Sequence, residues 1–161
     1  MQPSLETVRD WLGEIPDPEI PAISLVDLGI VRDVAYEDET LVVTVTPTYS
    51  GCPATLVIAL DIETELTRRG AGKVKVRQQL SPAWTTDWIS EAGREKLHAY
   101  GIAPPAVAAA SCAGMLSAQT AACPHCGSQN TEVISARGST PCKAQFRCRE
   151  CLEPFDYFKA I

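Results

Sequence analysis

Cys123-Pro124-His125-Cys126, answered after 21 residues by Cys148-Arg149-Glu150-Cys151, sets the architecture of the C-terminal end of this chain. Two short chelating loops of this spacing can turn four sulfurs toward one tetrahedral ion, and zinc is the default occupant of such a donor set. Gly127, directly after the first pair, suits the tight turn that a metal knuckle needs. The intervening stretch is slightly longer than usual, and a two-strand excursion would absorb it. The spacing therefore predicts a zinc ribbon over residues 123–161, with Cys123, Cys126, Cys148 and Cys151 as ligands. A disulfide framework is the competing reading, and it lacks the secretory segment that normally accompanies one.

Working back from the ribbon, Ala106 to Ala122 is rich in alanine and serine, carries no charge and shows no apolar face. We read it as a linker, with alanine leaving a helix open there. Pro104-Pro105 closes the preceding domain, residues 1–105. In that domain Ser4 is a candidate N-cap for a short helix whose apolar positions are Leu5, Val8, Trp11 and Leu12 and which Gly13 ends. The prolines at 16, 18 and 21 forbid helix and predict a stiff, shaped loop. Ile30 to Tyr36 and Thr40 to Thr46 read as two antiparallel strands joined at Glu37-Asp38-Glu39.

Pro53 opens a second helix in which Ala54, Ile58, Ile62 and Leu66 share one face down to Gly70. Lys73 to Arg77 alternates as a strand with one solvated side. A last helix runs from Ile89 to Tyr100. The expected fold is α+β: a small mixed three-stranded sheet packed with helices, followed by the ribbon.

Composition narrows the function. The 161 residues are 45% hydrophobic and carry a net charge of −6. An acidic chain is poorly suited to holding a phosphate backbone, and the ribbon itself has five basic against four acidic side chains. A nucleic-acid-binding ribbon is therefore the least favoured function. The N-terminus lacks a basic region followed by an apolar core, and no apolar run is long enough to span a membrane, so a soluble cytoplasmic protein is expected. Seven cysteines in a reducing compartment then speak for metal or thiol chemistry.

Outside the ribbon the chemical candidates are few. Cys52 precedes Pro53 at a helix start, where unpaired N–H groups and the helix dipole favour a thiolate. A buried structural cysteine is the equally weighted alternative. Asp17 and Glu19 flank Pro18 in the rigid loop and could bind a metal, polarise a thiol or cap the following turn. Neither His98, near a helix end and read as solvated, nor His125, inside the knuckle, offers Cys52 an obvious base. Trp84 and Trp88 divide between core packing, which is favoured, and a partner surface. Cys112 is read as incidental. Cys142, between the knuckles, could present a fifth thiol to the metal, although a structural turn is the favoured role. No phosphate loop, nucleophile with a visible base, or flavin or nicotinamide fingerprint is present, so independent catalysis is not expected.

Asp17-Pro18-Glu19-Ile20-Pro21, Val26-Asp27-Leu28-Gly29-Ile30-Val31, Gly51-Cys52-Pro53 and the Trp84 to Ser90 segment together resemble the SufT/PaaD-type iron-sulfur assembly family over residues 1–103. Thr46 to Ala54, Ser81 to Ser90, Gly138-Ser139-Thr140 before Cys142, and Phe155-Asp156-Tyr157-Phe158-Lys159 extend the likeness to the family's PaaD branch over nearly the whole chain. That resemblance implies a small α/β domain with Cys52 as the reactive cysteine and Asp17 and Glu19 as its acidic loop. It further implies a component of the bacterial phenylacetyl-CoA epoxidase system, which pairs a di-iron oxygenase with a flavin and [2Fe-2S] reductase in aerobic phenylacetate degradation. The expected role is assembly or delivery of iron or an iron-sulfur cluster, bound transiently at Cys52, to the oxygenase or reductase subunits. The alternative is an accessory subunit that couples electron transfer, with iron in a rubredoxin-like four-cysteine site. A homodimer is compatible with either. The ribbon, absent from general-purpose members, is the expected client-recognition element.

Overall fold

In the computed structural model, residues 2–105 and 121–159 are described. The expected linker, save its last two residues, lies outside them, as does Cys112. The chain forms two compact units, residues 1–84 and 85–161.

In the first unit, helix α1 (Leu5–Gly13) begins where Ser4 Oγ accepts the backbone N–H of Thr7 at 3.1 Å, and it buries Val8 and Leu12. Strands β1 (Val31–Glu37) and β2 (Thr40–Val45) pair antiparallel, and Asp38 adopts φ 54° in the turn between them. Helix α2 (Ala54–Arg68) carries the chain across to β3 (Lys73–Gln78), which pairs parallel to β2. The sheet order is β1-β2-β3, the mixed three-stranded sheet expected from the sequence. β2 is central and buried from Leu41 to Val45, whereas edge strand β3 alternates half-buried valines with exposed Lys73, Lys75 and Arg77. α2 buries Ala54, Ile58, Ile62 and Leu66, one stripe at helical spacing.

The proline-rich loop is tied to itself. Pro16 bridges Ser24, and the N–H groups of Asp17 and Leu25 donate to the carbonyls of Ile23 and Ile15 at 2.8 and 3.0 Å. Ile15, Ile20, Ile23, Leu25, Leu28 and Ile30 all point into the core. Trp84 is buried and its indole N–H donates to the Leu28 carbonyl at 3.0 Å, so core packing is its role. Trp88 is half-buried.

The second unit opens with a single 3-10 turn, Thr86–Trp88, and helix α3 (Glu91–Ala99). The helix starts two residues later than the periodicity suggests, because Ser90 Oγ accepts the N–H of Gly93 at 2.9 Å and serves as the cap. Strand β4 (Ile102–Ala103) then pairs parallel with β7 (Pro154–Phe158). β5 (Thr131–Ser135) and β6 (Lys143–Cys148) fill the interval between the knuckles as the anticipated two-strand excursion. The sheet order is β4-β7-β6-β5, with Phe146 packed on Phe155 and Tyr157 at ring-centroid distances of 5.8 and 5.2 Å. Cys123 and Cys148 belong to the same buried cluster as these rings.

Candidate metal centre and cysteine loop

The two knuckles are built alike. Gly127 N–H donates to the Cys123 carbonyl at 2.8 Å, and the N–H of Cys123 donates to the carbonyl of Ser128 at 2.9 Å. At the second knuckle the N–H of Cys148 donates to the Glu153 carbonyl at 3.0 Å, the same five-residue span. The fourth residue after each leading cysteine is left-handed, Gly127 at φ 76° and Leu152 at φ 65°. Glycine adopts that backbone freely and leucine does not.

The four sulfurs lie within 4.8 Å of one another, with Cys123 to Cys151 at 3.7 Å and Cys126 to Cys148 at 3.5 Å. A tetrahedron with metal-sulfur bonds of about 2.3 Å has edges of roughly 3.8 Å, so the donor set already has the size a single ion requires. Cys123 and Cys148 are fully buried, Cys151 is half-buried and Cys126 is exposed. The backbone N–H of Cys151 draws the Cys148 thiol down to about 7, against the effect of burial. Cys151 accepts from the N–H of Glu153, which lowers its pKa, yet burial and the neighbouring sulfurs outweigh that and push it up to about 12. Four crowded thiols cannot all ionise on their own charge balance, and a divalent cation supplies what they lack. His125 is exposed and outside the sulfur group; a Cβ on Gly101 would lie 3.4 Å from its ring.

Cys142 is buried and sits apart from that group, with its sulfur 3.0 Å from Thr140 Oγ1 and its carbonyl accepting Lys159 N–H at 2.9 Å. It is a turn residue rather than a fifth ligand. Gly138 in the same turn donates to the Lys143 carbonyl at 2.8 Å, and a Cβ there would come within 3.1 Å of the Lys143 Cβ. Packing therefore accounts for the glycine of Gly138-Ser139-Thr140. Lys143 is buried beside Asp156, its Nζ 3.5 Å from Oδ2.

Cys52 occupies a different setting. It lies immediately before Pro53, the N-cap of α2, and is 9% exposed. Its N–H donates to the Tyr49 carbonyl at 3.3 Å, and its own carbonyl accepts the N–H of Thr55 at 3.1 Å. Gly51, at φ 81°, makes the reversal that feeds the helix. Asp17 is buried, and its Oδ1 accepts the N–H groups of Glu19 and Ile20 at 2.9 and 2.8 Å, so it caps its own loop. Ser24 Oγ caps the next turn through Asp27 N–H at 3.1 Å. Among the described residues the four ribbon cysteines form the one metal-competent group of three or more side chains; Asp17, Glu19 and Cys52 are not gathered into another. His98 is exposed on α3, as expected.

Sequence reasoning missed two hydroxyls. Thr46 Oγ1, at the end of β2, and Thr55 Oγ1, in the first turn of α2, are buried without a hydrogen-bond partner among the described residues. They bracket the Cys52 loop along the chain. Threonine is common in strands and at helix starts, so nothing in the sequence marked them.

The sequence carries two family matches in the same order as the two units. Residues 5–77 match an iron-sulfur cluster assembly protein model, and residues 108–159 match the PaaD zinc beta ribbon domain. The chain is also 48% identical over 159 residues, 99% of its length and 94% of the relative's, to a putative 1,2-phenylacetyl-CoA epoxidase subunit from Escherichia coli strain K12. The chain belongs to the PaaD family. This chain carries both the ribbon and the assembly-type segment, as the resemblance in the motifs implied. Two solved structures are similar to part of the chain. A domain of unknown function, DUF59, from Bacillus anthracis is 28% identical with a TM-score of 0.53, covering 57% of this chain and 89% of its own. A conserved hypothetical protein from Thermotoga maritima is 30% identical with a TM-score of 0.50, covering 60% and 95%. The chain thus combines a DUF59-like domain with a zinc ribbon. None of its described helices is long and apolar enough to cross a membrane.

Proposed function

We propose that this PaaD-family chain assembles or delivers the metallocofactor of a phenylacetyl-CoA epoxidase in the cytoplasm, with Cys52 as the transfer thiol and Asp17 and Glu19 as the acidic loop that shapes its approach. One observation carries the reading. Cys52 lies inside the segment that matches an iron-sulfur cluster assembly model, in a chain 48% identical to a protein named for that epoxidase.

The ribbon cysteines hold zinc in this proposal. Four thiolates complete a tetrahedral shell and leave no open position, which suits a structural ion rather than a reacting one. Iron or an iron-sulfur cluster is cargo, held briefly at Cys52 and passed to the oxygenase or reductase subunit. Domain roles follow: residues 1–105 carry the transfer thiol, 106–122 link, and 123–161 recognise the client.

A second reading is favoured by the relative's description as a subunit of the epoxidase: a permanent component that couples electron transfer. The two separate on one experiment. Epoxidase is produced with and without this chain, its iron and acid-labile sulfide are measured, and purified chain is then added back. The delivery reading expects metal-deficient enzyme that addition alone does not restore. Metal-replete, inactive enzyme that recovers at once on addition would overturn it in favour of the subunit reading.

A further inference from the structure

Helix α2 has two apolar faces. One stripe is the buried set Ala54, Ile58, Ile62 and Leu66. Roughly half a turn around the axis stand Leu56, Val57 and Leu60, which are 81%, 46% and 63% exposed. The second stripe is confined to the first two turns; beyond it the outer face becomes Glu63, Thr64, Thr67 and Arg68. A surface helix normally pairs one apolar face with one polar face, and an apolar outer face calls for a covering partner. This face begins four residues after Cys52.

Charge indicates what covers it. Residues 1–84 contain 13 acidic and 7 basic side chains, whereas residues 85–161 contain 7 of each, so the whole net charge of −6 lies in the first unit. Three of those seven basic groups, Arg68, Arg69 and Arg77, are engaged by Glu65, Glu14 and Glu37. Beside Leu60 runs a groove of about 640 Å³ whose walls include Ile15, Pro16 and Asp61, together with Glu14 and Glu65, which are paired with Arg69 and Arg68, so Asp61 supplies the groove's net negative charge. An apolar ridge bordered by carboxylates complements an apolar surface bordered by guanidinium or ammonium groups. A second copy of this acidic unit would bring like charges together.

We propose that Leu56, Val57 and Leu60, with the acidic groove beside Leu60, form the docking surface for a client protein that presents an apolar ridge edged by arginine or lysine. The assignment rests on the delivery reading and deepens it, because it adds to the ribbon's recognition of the client a second contact, on the helix that Cys52 opens.

The test measures binding of the purified epoxidase oxygenase and reductase subunits to the full-length chain. Leu56→Asp/Leu60→Asp changes only exposed positions and is expected to keep the wild-type thermal midpoint and metal content while weakening binding about tenfold or more. Asp61→Lys, a second variant independent of the leucines, is expected to weaken it several-fold, with the difference shrinking at high salt. Cys52→Ala is expected to bind as the wild type does. Unchanged binding by the folded double variant, no binding of either subunit by the wild type, or loss of self-association alone would overturn the proposal. The two readings fail separately: if Cys52→Ala yields metal-replete epoxidase while the leucine variants still lose binding, the docking surface stands and cofactor delivery falls.

Discussion

The ribbon's four sulfurs converge within 4.8 Å of one another on two matched knuckles, whereas Cys52 is one thiol at the start of a helix with no other cysteine in its unit. On the delivery reading proposed above, the same side chain serves opposite tasks. A closed set of four donors holds an ion for the life of the fold, and the ion's binding energy becomes folding energy. A single sulfur cannot complete a shell, so anything it holds must borrow ligands and can be handed on. Retention and transfer are separated by the number of converging ligands more than by the chemistry of any one of them.

The largest effect should come from opening the closed site. Cys148→Ser removes a fully buried ligand that also belongs to the aromatic cluster of β6 and β7. Structural zinc contributes on the order of 10 kcal/mol or more to folding such a unit. The expected outcome is loss of the bound metal and of amide protection across β5, β6 and β7, with α1, α2 and β1 to β3 retained. Hydrogen exchange and metal analysis check it; a folded ribbon in the metal-free variant would break the comparison.

Cys52→Ala should be the converse. Removing one sulfur from a 9% exposed site costs about 1 kcal/mol, and the ribbon should keep its metal. What should fall is the iron content of epoxidase produced alongside the variant, from near full to a small fraction. A variant that loses ribbon metal as well would show that the two sites are not independent.

The difference between the regions also governs what was legible in the sequence. Knuckle spacing is local, so all four converging cysteines could be read directly, as could the stripe Ala54, Ile58, Ile62 and Leu66 and the mixed three-stranded sheet. β4 could not: Ile102–Ala103 is too short to show a period and is a strand only because β7, over 50 residues later, pairs with it. The loop around Asp17 was legible as rigid, because prolines forbid helix, but its capping of Glu19 and Ile20 is a property of folded geometry. The partnerless hydroxyls of Thr46 and Thr55 and the outward leucines of α2 were equally hidden. Each depends on what a side chain fails to meet, and a sequence lists only what is present.

A smaller effect tests the likeness of the knuckles. Leu152 takes the left-handed backbone that Gly127 takes without cost, and it is 60% exposed, so its side chain packs little. Relieving left-handed strain should gain about 1–2 kcal/mol, offset by roughly half that from the extra freedom of glycine in the unfolded chain. Leu152→Gly is thus expected to stabilise the ribbon slightly, and Gly127→Ala to destabilise it. If thermal unfolding of the ribbon showed no difference in sign, the knuckles would not be equivalent.

The smallest expected effect lies on α2, in the unit without the metal. Glu65 accepts from Arg68 Nε and Nη2 at 2.9 and 2.6 Å and from Arg69 Nε at 2.6 Å, and these guanidinium groups hold its carboxyl down to about 2 from an ordinary 4.5. A depressed carboxylate pKa contributes stability that is complete above the unfolded value and is lost as pH falls through the folded one. The contribution should therefore be present at pH 7, decline below about pH 4.5 and vanish near pH 2. Glu65→Gln keeps the shape and removes the charge, so its unfolding midpoint should fall slightly below wild type at neutral pH and converge with it in acid. The ribbon should respond in the same direction for a different reason, because protons compete with metal for its thiolates. Following the two units separately by hydrogen exchange during acidification distinguishes them: the Gln variant should alter the acid limb of the first unit and leave the ribbon's untouched.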